Sequence, residues 1–448
     1  MMKQITLLII ALITMIVNAQ ETKQNYSFSL EQAISHALTH NYSIINADRD
    51  IAAAQQKKWE TTAAGLPQIN GTVGYLNNIE FTQQGVTGGG PFGGNAGEVN
   101  TIAFGTKHNM NGQLTLSQLL FDGSYIVALQ ASKTYIKFYE NAKRKTNVEI
   151  REMVIHSYGN VLLAKESSLI LEKNKAILEK TLSDTKETFK NGLIEEENVE
   201  QLQITLATIN SNLKNTQRLV GIANNMLKIL LGIEINDQLT LTDSLDNLTI
   251  SNTNFAFSQN DFVVSENIDY QMGASFEQQR QLEYKLQKSK ALPSLGAAYN
   301  FGYNSFANNF SFVNSNQKWN NFSNVGVSLN VPIFSSLGRS AKTQQAKIAL
   351  EQAKTQLSET EQKLKLQFAN AKSEYDFSIE EFATAKSNLN LAERIEKKQQ
   401  IKFTEGLSSS FDFSEAQRQL YTAQQNYLQS MVNIINKKAT LEKITNKN

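Results

Sequence analysis

Apolar residues recur every seven positions in two long stretches of the chain. In the first stretch the row is Val199, Leu206, Leu213, Val220 and Leu227, and a second row lies three positions further on. The same two rows return later at a constant offset, the first of them now at Phe413, Leu420, Tyr427, Ile434 and Leu441. Rows spaced by three and four positions predict helices with a coiled-coil seam, which needs a partner helix.

Two proline-free stretches predict helices of unusual length. One runs from about Tyr125 to Lys190 and the other from about Ala341 to Lys402. At about 1.5 Å per residue, the first helix is roughly 100 Å long. Shorter helices are predicted over Leu30–Leu66, Glu196–Leu231, Asn267–Ala291 and Asp412–Ile444. Two shorter helices placed end to end match one long helix. The pattern therefore predicts a rod about 100 Å long whose apolar rows are shared among several copies.

Four segments of about ten residues alternate apolar with small or polar side chains. Their apolar members are Ile69, Val73, Tyr75, Met110, Leu114, Leu116, Leu295, Tyr299, Phe301, Tyr303, Val325, Val327 and Leu329. This alternation suits membrane strands with lipid on one side and water on the other. A half-buried strand of a soluble sandwich has the same pattern, so that alternative stays open.

Turn-forming residues separate these helices and strands. Pro67, Pro293 and Pro332 stand at the predicted helix–strand junctions, where the missing backbone donor does least harm. Residues 83–97, between the first two strands, are rich in glycine and predict an exposed flexible loop.

The first nineteen residues have the pattern of an export signal. Lys3 supplies a positive start, Ile5 to Val17 are almost entirely apolar, and a cleavage point follows Ala19. A membrane anchor is the alternative, although the apolar stretch is short for a span. No later segment reaches about 18 consecutive apolar residues. The sequence thus predicts an exported protein that is soluble outside the cytoplasm or crosses a membrane by β-strands.

Short motifs return in the same order in the two halves of the chain. Leu66-Pro67-Gln68-Ile69 returns as Leu292-Pro293-Ser294-Leu295, and Phe189 with Gly192 returns as Phe403 with Gly406. We therefore predict an internal duplication, with the order helix, strand, strand, helix, helix in each copy. The predicted divisions are a signal peptide over 1–19, repeats over 20–231 and 267–448, and a linker over 232–266.

The composition excludes several kinds of chemistry. The 448 residues include no cysteine, and 43 lysines and arginines balance 42 aspartates and glutamates. Disulfides, cysteine-based metal sites and thiol nucleophiles are therefore excluded, and the charge gives no reason to expect nucleic-acid binding. His36 and His40 are spaced as in HExxH, but Ala37 replaces the glutamate and no third ligand is evident. We expect no metal site, no cofactor and no catalytic residue, and hence no enzyme.

The order of these motifs resembles the TolC-like outer-membrane efflux channel family. The resemblance covers nearly all of the chain after the signal peptide. It is carried by Ser29-Leu30-Glu31-Gln32-Ala33 with Ala37, Leu38 and Asn41, by Leu66-Pro67-Gln68, by Leu120-Phe121-Asp122-Gly123, by Val331-Pro332-Ile333-Phe334, and by Gly192 and Gly406. Each motif is weak alone, but their order and duplication are specific.

The resemblance implies a mainly α protein with a small β part that acts as a homotrimer. Four transmembrane strands per protomer would form a twelve-stranded barrel in the outer membrane, continued across the periplasm by a barrel of long antiparallel helices. The linker would help form a belt around this tunnel. The implied function is a passive exit duct for efflux or type I secretion, working with a periplasmic adaptor protein and an inner-membrane transporter. An exported coiled-coil structural or adhesive protein without a pore is the alternative, but it has no need of the alternating strands.

The hairpins that contain Phe189 and Gly192, and Phe403 and Gly406, would form the periplasmic tip. In the family, acidic residues six and nine positions after the second glycine can ring a constriction, and here these are Asp412 and Glu415. The alternative interpretation makes Asp412 an N-cap and Glu415 its partner three positions on, and both roles are compatible. The family's tip lock can use an aromatic hydroxyl and an arginine, in whose places this chain has Phe403 and Ser408.

Overall fold

The structure is a computed structural model that describes residues 24–89, 95, 97–253 and 262–446. The signal peptide over 1–19 lies outside the described residues. The described chain is mostly helical with a small β part, which confirms the predicted fold class. Its elements are, in order, β1 (Asn25–Phe28), α1 (Leu30–His40), α2 (Tyr42–Ala63), β2 (Gln68–Asn77), β3 (Thr82–Thr87), β4 (Val99–Phe104), β5 (His108–Asp122), α3 (Gly123–Lys190), α4 (Glu196–Leu231), β6 (Gln238–Leu241), α5 (Leu245–Thr253), α6 (Ile268–Ser289), β7 (Ser294–Ala307), β8 (Asn320–Asn330), α7 (Gly338–Thr404) and α8 (Ser410–Thr445).

The described residues form two compact units. A helical unit comprises residues up to 50, 139–273 and 356 onward, and a sheet unit comprises residues 51–138 and 274–355. Each unit gathers segments that lie far apart in the sequence, so neither corresponds to one predicted repeat. The repeat boundaries therefore remain a prediction.

The sheet unit contains a four-stranded antiparallel sheet in the order β2-β5-β7-β8. The register aligns residues of like character across all four strands. One row is Ile69, Leu116, Tyr299 and Val325, and the next position along each strand gives the row Asn70, Thr115, Asn300 and Asn324. Because successive side chains of a strand point to opposite faces, the sheet has one apolar and one polar face. The alternation predicted from the sequence thus describes a real two-faced sheet.

Part of the predicted glycine-rich loop is ordered as strand. β3 and β4 pair as an antiparallel ribbon, with Thr82 opposite Phe104 and Thr87 opposite Val99. The expectation of a wholly flexible loop over 83–97 was therefore wrong for residues 83–87. Gln83, Gln84, Val86 and Thr87 tolerate extended backbone, and alternate residues can exchange backbone hydrogen bonds with β4. Residues 90–94 and 96 lie outside the described part of the chain.

Apolar rows from three long helices form the core of the helical unit. Val154 and Tyr158 of α3, Leu227 of α4 and Val432 of α8 belong to one buried cluster. The Tyr158 side chain is fully buried, and its hydroxyl donates to the Phe28 carbonyl at 3.1 Å. This contact ties α3 to β1, which itself pairs in parallel with β6. Most members of the first heptad row in each stretch are buried, Leu227 among them, whereas Leu206, Val220 and Tyr427 are only partly buried.

The predicted helix over Leu30–Leu66 is divided into α1 and α2 at Asn41. The Asn41 backbone is extended, with φ −63° and ψ 134°, and its side-chain amide donates to the Leu230 carbonyl of α4 at 2.7 Å. Its Oδ1 atom accepts from the Ser43 amide at 2.8 Å, as the cap of the next helix. A contact to a distant helix thus decides a boundary that local pattern does not reveal.

Three helices of the helical unit end at a glycine in the left-handed region. The φ angles are +74° at Gly192, +71° at Gly232 and +71° at Gly406. In each case the glycine amide and the following amide donate back to carbonyls of the last helical turn, which is the Schellman arrangement. At Gly192 and Gly406 this ending turns α3 into α4 and α7 into α8.

We predict that Gly232→Ala destabilises the protein much more than Gly192→Ala. Both substitutions place a Cβ at positive φ, which costs about 1 kcal/mol. At Gly232 the added Cβ also collides with the backbone carbonyl of His40, whereas at Gly192 it meets open space. Thermal unfolding of the purified variants should show that Gly232→Ala lowers the free energy of unfolding by roughly 3 kcal/mol or more. Equal losses would mean that α1 does not pack against the end of α4.

Candidate functional site

The turns after α3 and α7 bring two helix hairpins together at one end of the helical unit. The Phe413 side chain is fully buried beside Val199 and Leu202 of α4. It stacks on Phe403 of α7, with ring centroids 5.4 Å apart. The amide of Ser410 donates to Oδ1 of Asn198 at 3.2 Å, which links the start of α8 to the start of α4. The first turns of α8 are thus held by both hairpins.

Asp412 stabilises the start of α8. The N-cap is Ser409, whose hydroxyl accepts from the Asp412 amide at 3.1 Å, while the Asp412 carboxylate accepts from the Ser409 hydroxyl at 2.8 Å and from its amide at 3.4 Å. The predicted capping roles, Asp412 as N-cap with Glu415 three positions on, were therefore wrong by one turn. The helix begins earlier because Ser409 already offers the side-chain oxygen that an N-cap needs.

Glu415 is paired rather than free. Arg418 donates to both of its carboxylate oxygens, at 2.6 and 2.8 Å, and the side-chain amide of Gln419 donates at 3.1 Å. The hydrogen bond from Arg418, with a smaller one from Gln419, lowers the pKa of Glu415. Glu415 thus stays ionised to lower pH than an isolated glutamate. The sequence analysis missed Arg418, although a cation three positions after an acid on a helix is a recognisable partner.

The two residues at the tip-lock positions make contacts within the chain. Phe403 has no hydroxyl and its ring packs on Phe413. The Ser408 hydroxyl donates to Oε1 of Gln399 at 3.2 Å and lies 3.4 Å from the Asp412 carboxylate. Phe189, the counterpart of Phe403 in the first hairpin, is exposed instead. The two hairpins therefore use corresponding aromatic positions differently.

A groove of about 1210 Å³ lies between the two hairpins. Asp184 and Asn198 line it from the first hairpin, and Phe403, Ser408 and Asp412 line it from the second. Asp412 is exposed at its edge. The predicted residues Phe403, Gly406 and Asp412 thus border one groove, whereas Phe189, Gly192 and Glu415 are not among its lining residues.

The polar face of the four-stranded sheet carries a connected amide network. Asn300 is its centre: its Oδ1 accepts from Gln113 at 2.9 Å and from Thr115 at 2.8 Å, and its Nδ2 donates to Asn324 at 2.9 Å. Within β2, β5, β7 and β8 the only Asp, Glu, Lys or Arg is Asp122, whose carboxylate caps α3 through the Ser124 amide at 2.7 Å. Apart from this terminal cap, the polar face is therefore uncharged.

The apolar face of the same sheet is exposed. Ile69 and Val73 of β2 are 73% and 76% exposed, and Val325 of β8 is 75% exposed. An apolar surface of this extent on a single chain indicates a further apolar partner. Pro67 and Pro293 directly precede β2 and β7, and Pro332 lies between β8 and α7, so all three prolines occupy the predicted helix–strand junctions.

Residues 265–447 match the family model described as outer membrane efflux protein. This C-terminal part of the chain is similar to the outer membrane efflux protein family. The match includes α7, α8, β7 and β8, and with them Asp412 and Glu415. The resemblance inferred from the sequence motifs is thereby confirmed. No curated protein matches the chain.

Several solved structures share the fold over nearly the whole chain. CusC, described as forming a transmembrane channel, aligns with TM-score 0.73 and 18% identity over 96% of this chain and 94% of its own. The outer membrane channel CmeC of Campylobacter jejuni aligns with TM-score 0.72 and 17% identity over 93% and 85%. The outer membrane protein VceC of Vibrio cholerae aligns with TM-score 0.69 and 15% identity over 93% and 95%. At these identities the likeness establishes the fold.

The description of the matching family model indicates an outer membrane location and a role in efflux rather than in catalysis. Among the described helices, none combines the length and apolar character needed to cross a bilayer.

The histidines among the described residues make packing contacts. The rings of His36 and His40 stack with centroids 4.1 Å apart, and His36 also packs on Phe28 at 5.0 Å. Burial, helped by the neighbouring His40, lowers the pKa of His36. His108 contacts the Tyr75 hydroxyl at 2.9 Å, and His156 contacts the Asn436 carbonyl at 3.3 Å. In the ranges that the structure describes, no three His, Asp or Glu residues are arranged as a metal site.

Proposed function

We propose that the protein is one protomer of a homotrimeric exit duct, for efflux or type I secretion, that crosses the outer membrane and extends into the periplasm. The observation that carries this proposal is the four-stranded sheet, with its exposed apolar face, its uncharged polar face and its two open edges. A duct wall needs these features, because lipid lies outside it and water inside.

The open edges argue for assembly with further copies. β2 and β8 are the outer strands of the four-stranded sheet, and each leaves one side of its backbone unpaired. In hydrocarbon every unpaired backbone group costs several kcal/mol, so open edges are not tolerated there. If β8 of each copy pairs with β2 of the next copy around a closed ring, no open edge remains. Three copies would supply twelve strands, the number that the family resemblance implies.

The helical unit also has a seam that its own residues do not cover. Leu219, Ile222, Met226 and Ile229 of α4 are spaced by three and four positions, and all four are exposed. This spacing is typical of a coiled-coil seam awaiting a helix. A neighbouring copy would cover it and extend the duct as a helical tunnel. We propose that the segment 232–266, which contains β6 and α5, contributes a belt around that tunnel.

The duct would take its energy from other proteins. The family resemblance implies a periplasmic adaptor protein and an inner-membrane transporter, and the transporter would supply that energy. We propose that the adaptor binds at the hairpin tip. The open groove of about 1210 Å³, with polar and aromatic lining, offers a surface for it.

The proposal is tested by extracting the full-length protein from isolated outer membranes and reconstituting it in planar bilayers. We expect chemical cross-linking to end at three copies and the purified complex to form water-filled pores. Because the chain contains no cysteine, cross-linkers placed at single engineered cysteines report on the chosen positions alone.

A soluble, non-conducting rod would overturn the proposal and favour the exported coiled-coil structural or adhesive protein. Membrane extraction with cross-linking that stops at two copies would retain the duct class but contradict the trimer.

A further inference from the structure

One buried carboxylate in the second hairpin has no place in the function proposed above. The apolar row Phe368, Tyr375, Phe382 and Leu389 of α7 continues at the same spacing to Glu396 and then Phe403. Glu396 therefore occupies a seam position that faces α8. Only 9% of it is exposed, although glutamate is rarely buried unless it has a partner.

The partner of Glu396 is Gln417 of α8. The Gln417 side-chain amide donates to Oε1 of Glu396 at 2.7 Å, and Gln417 is only 6% exposed. This polar layer lies between two aromatic contacts of the same helix pair, Phe403 with Phe413 and Phe382 with Tyr427. The seam between α7 and α8 is thus interrupted by one polar layer near the tip.

The first hairpin has no such layer at the corresponding register. The offset that relates Phe189 to Phe403 relates Leu182 to Glu396 and Gln203 to Gln417. Leu182 is buried in the apolar cluster with Leu178 and Leu202, and Gln203 is exposed. At this position of the seam, the first hairpin therefore has a leucine and the second has a titratable glutamate.

Burial penalises the charged form of Glu396. Burial is the larger influence and raises its pKa above the ordinary value of 4.5, while the hydrogen bond from Gln417 lowers it in part. A protonated Glu396 avoids the desolvation cost and gains an O–H that can donate to the carbonyl of the same Gln417 amide. The ionised form retains the Gln417 bond but must keep a negative charge in the seam.

Titratable groups flank this layer along its own two helices, Glu393 and Lys397 on α7 and Arg418 and Tyr421 on α8. On the first hairpin, Lys180 and Asp184 of α3 and Glu195 before α4 line the groove that faces α7 and α8. Arg418 is held by both oxygens of Glu415. The upward shift of the Glu396 pKa has burial as its cause, and none of these charges contributes to it.

We propose that Glu396 is a proton-sensitive positioning residue for the hairpin tip. When protonated, it holds the first turns of α8, with Asp412 and Glu415, against α7; when ionised, it loosens them. Because the closed seam raises the affinity of Glu396 for its proton, closure is favoured at low pH and is lost as pH rises through the raised pKa. Each unit by which closure raises that pKa changes the ratio of open to closed hairpin tenfold. The consequence for a pore rests on the proposed function, whereas the hairpin behaviour does not.

The test compares wild type, Glu396→Gln and Glu393→Gln by hydrogen exchange of the full-length protein in detergent. Glutamine is an uncharged isostere of the protonated acid, and Glu393 is an exposed glutamate one turn away from Glu396. Between about pH 5 and about pH 8, and after correction for intrinsic rates, amides of residues 405–420 should lose several-fold protection in wild type and in Glu393→Gln. In Glu396→Gln their protection should not change with pH.

A second variant keeps the proposal testable if Glu396→Gln misfolds. Glu396→Leu introduces the residue that the first hairpin uses, and it should also remove the pH dependence. Equal pH dependence in wild type and in either variant would overturn the proposal. Conductance of the same proteins is recorded separately: a missing pore contradicts the duct, while the exchange result still decides the role of Glu396.

Discussion

Replacing Leu116 with arginine should prevent assembly of the protein in the outer membrane. Leu116 lies near the middle of β5, in the apolar row with Ile69, Tyr299 and Val325. An arginine facing lipid at the bilayer midplane costs about 2–4 kcal/mol. In a trimer that cost would be incurred three times, about 6–12 kcal/mol in total, which is comparable to the whole stability of a typical protein. We expect little or no cross-linkable trimer in isolated outer membranes.

The neighbouring residue provides a matched control. Ser117 points to the opposite face, in the row with Gln68, Ala298 and Gly326. Ser117→Arg adds the same charge on the polar side, where water would solvate it. This variant should assemble normally and shift the pore toward anion selectivity. If both variants failed equally, the assignment of one face to lipid and the other to water would be wrong, and a soluble sandwich would explain the sheet better.

Local pattern predicted most helices and strands closely. The heptad rows gave Glu196–Leu231, the bounds of α4, and the long helix predicted from Tyr125 begins only two residues earlier as α3. These elements were predictable because an apolar residue recurs at each turn of a helix and at every second position of a strand. Two strands are longer than predicted: β5 and β7 both continue beyond the residues that alternate in the sequence.

Features that depend on distant partners were not predictable. β1 pairs with β6, which is more than 200 positions away in the sequence, and four-residue strands carry too little alternation to reveal such a pairing. Asn41 ends α1 because it reaches the Leu230 carbonyl. In both cases the deciding atom belongs to another part of the chain.

The sequence suggests the candidate-site residues by their positions along the chain, but it does not reveal their contacts. Asp412 and Glu415 were chosen by their distance from Gly406, and that choice remains a prediction. Their partners do leave signals in the sequence: Ser409 and Asp412 have the spacing of a capping box, and Arg418 follows Glu415 by one turn. Glu396 was likewise visible as a charge in an apolar row. Their burial and hydrogen bonds required the structure.

Replacing Asp412 with asparagine and Glu415 with glutamine should weaken blockade of the pore by multivalent cations. In a trimer the two positions would supply six carboxylates around the narrow end, which would attract cations strongly. Asparagine preserves the capping of α8 better than alanine does, so the helix start should remain intact. We expect the blocking concentration of a trivalent cation in single-channel recordings to rise roughly tenfold.

Arg418 allows a test in the opposite direction. Its side chain is exposed and neutralises Glu415 through two hydrogen bonds. Arg418→Gln removes three positive charges from a trimer and leaves all six carboxylates, so blockade should become tighter than in wild type. The low pKa of Glu415 depends on Arg418, so the variant should also lose that blockade at a higher pH than wild type does. A pore whose blockade responds to neither change would have its constriction elsewhere, since charges that line a narrow passage must alter the binding of a multivalent ion when their sign or number changes.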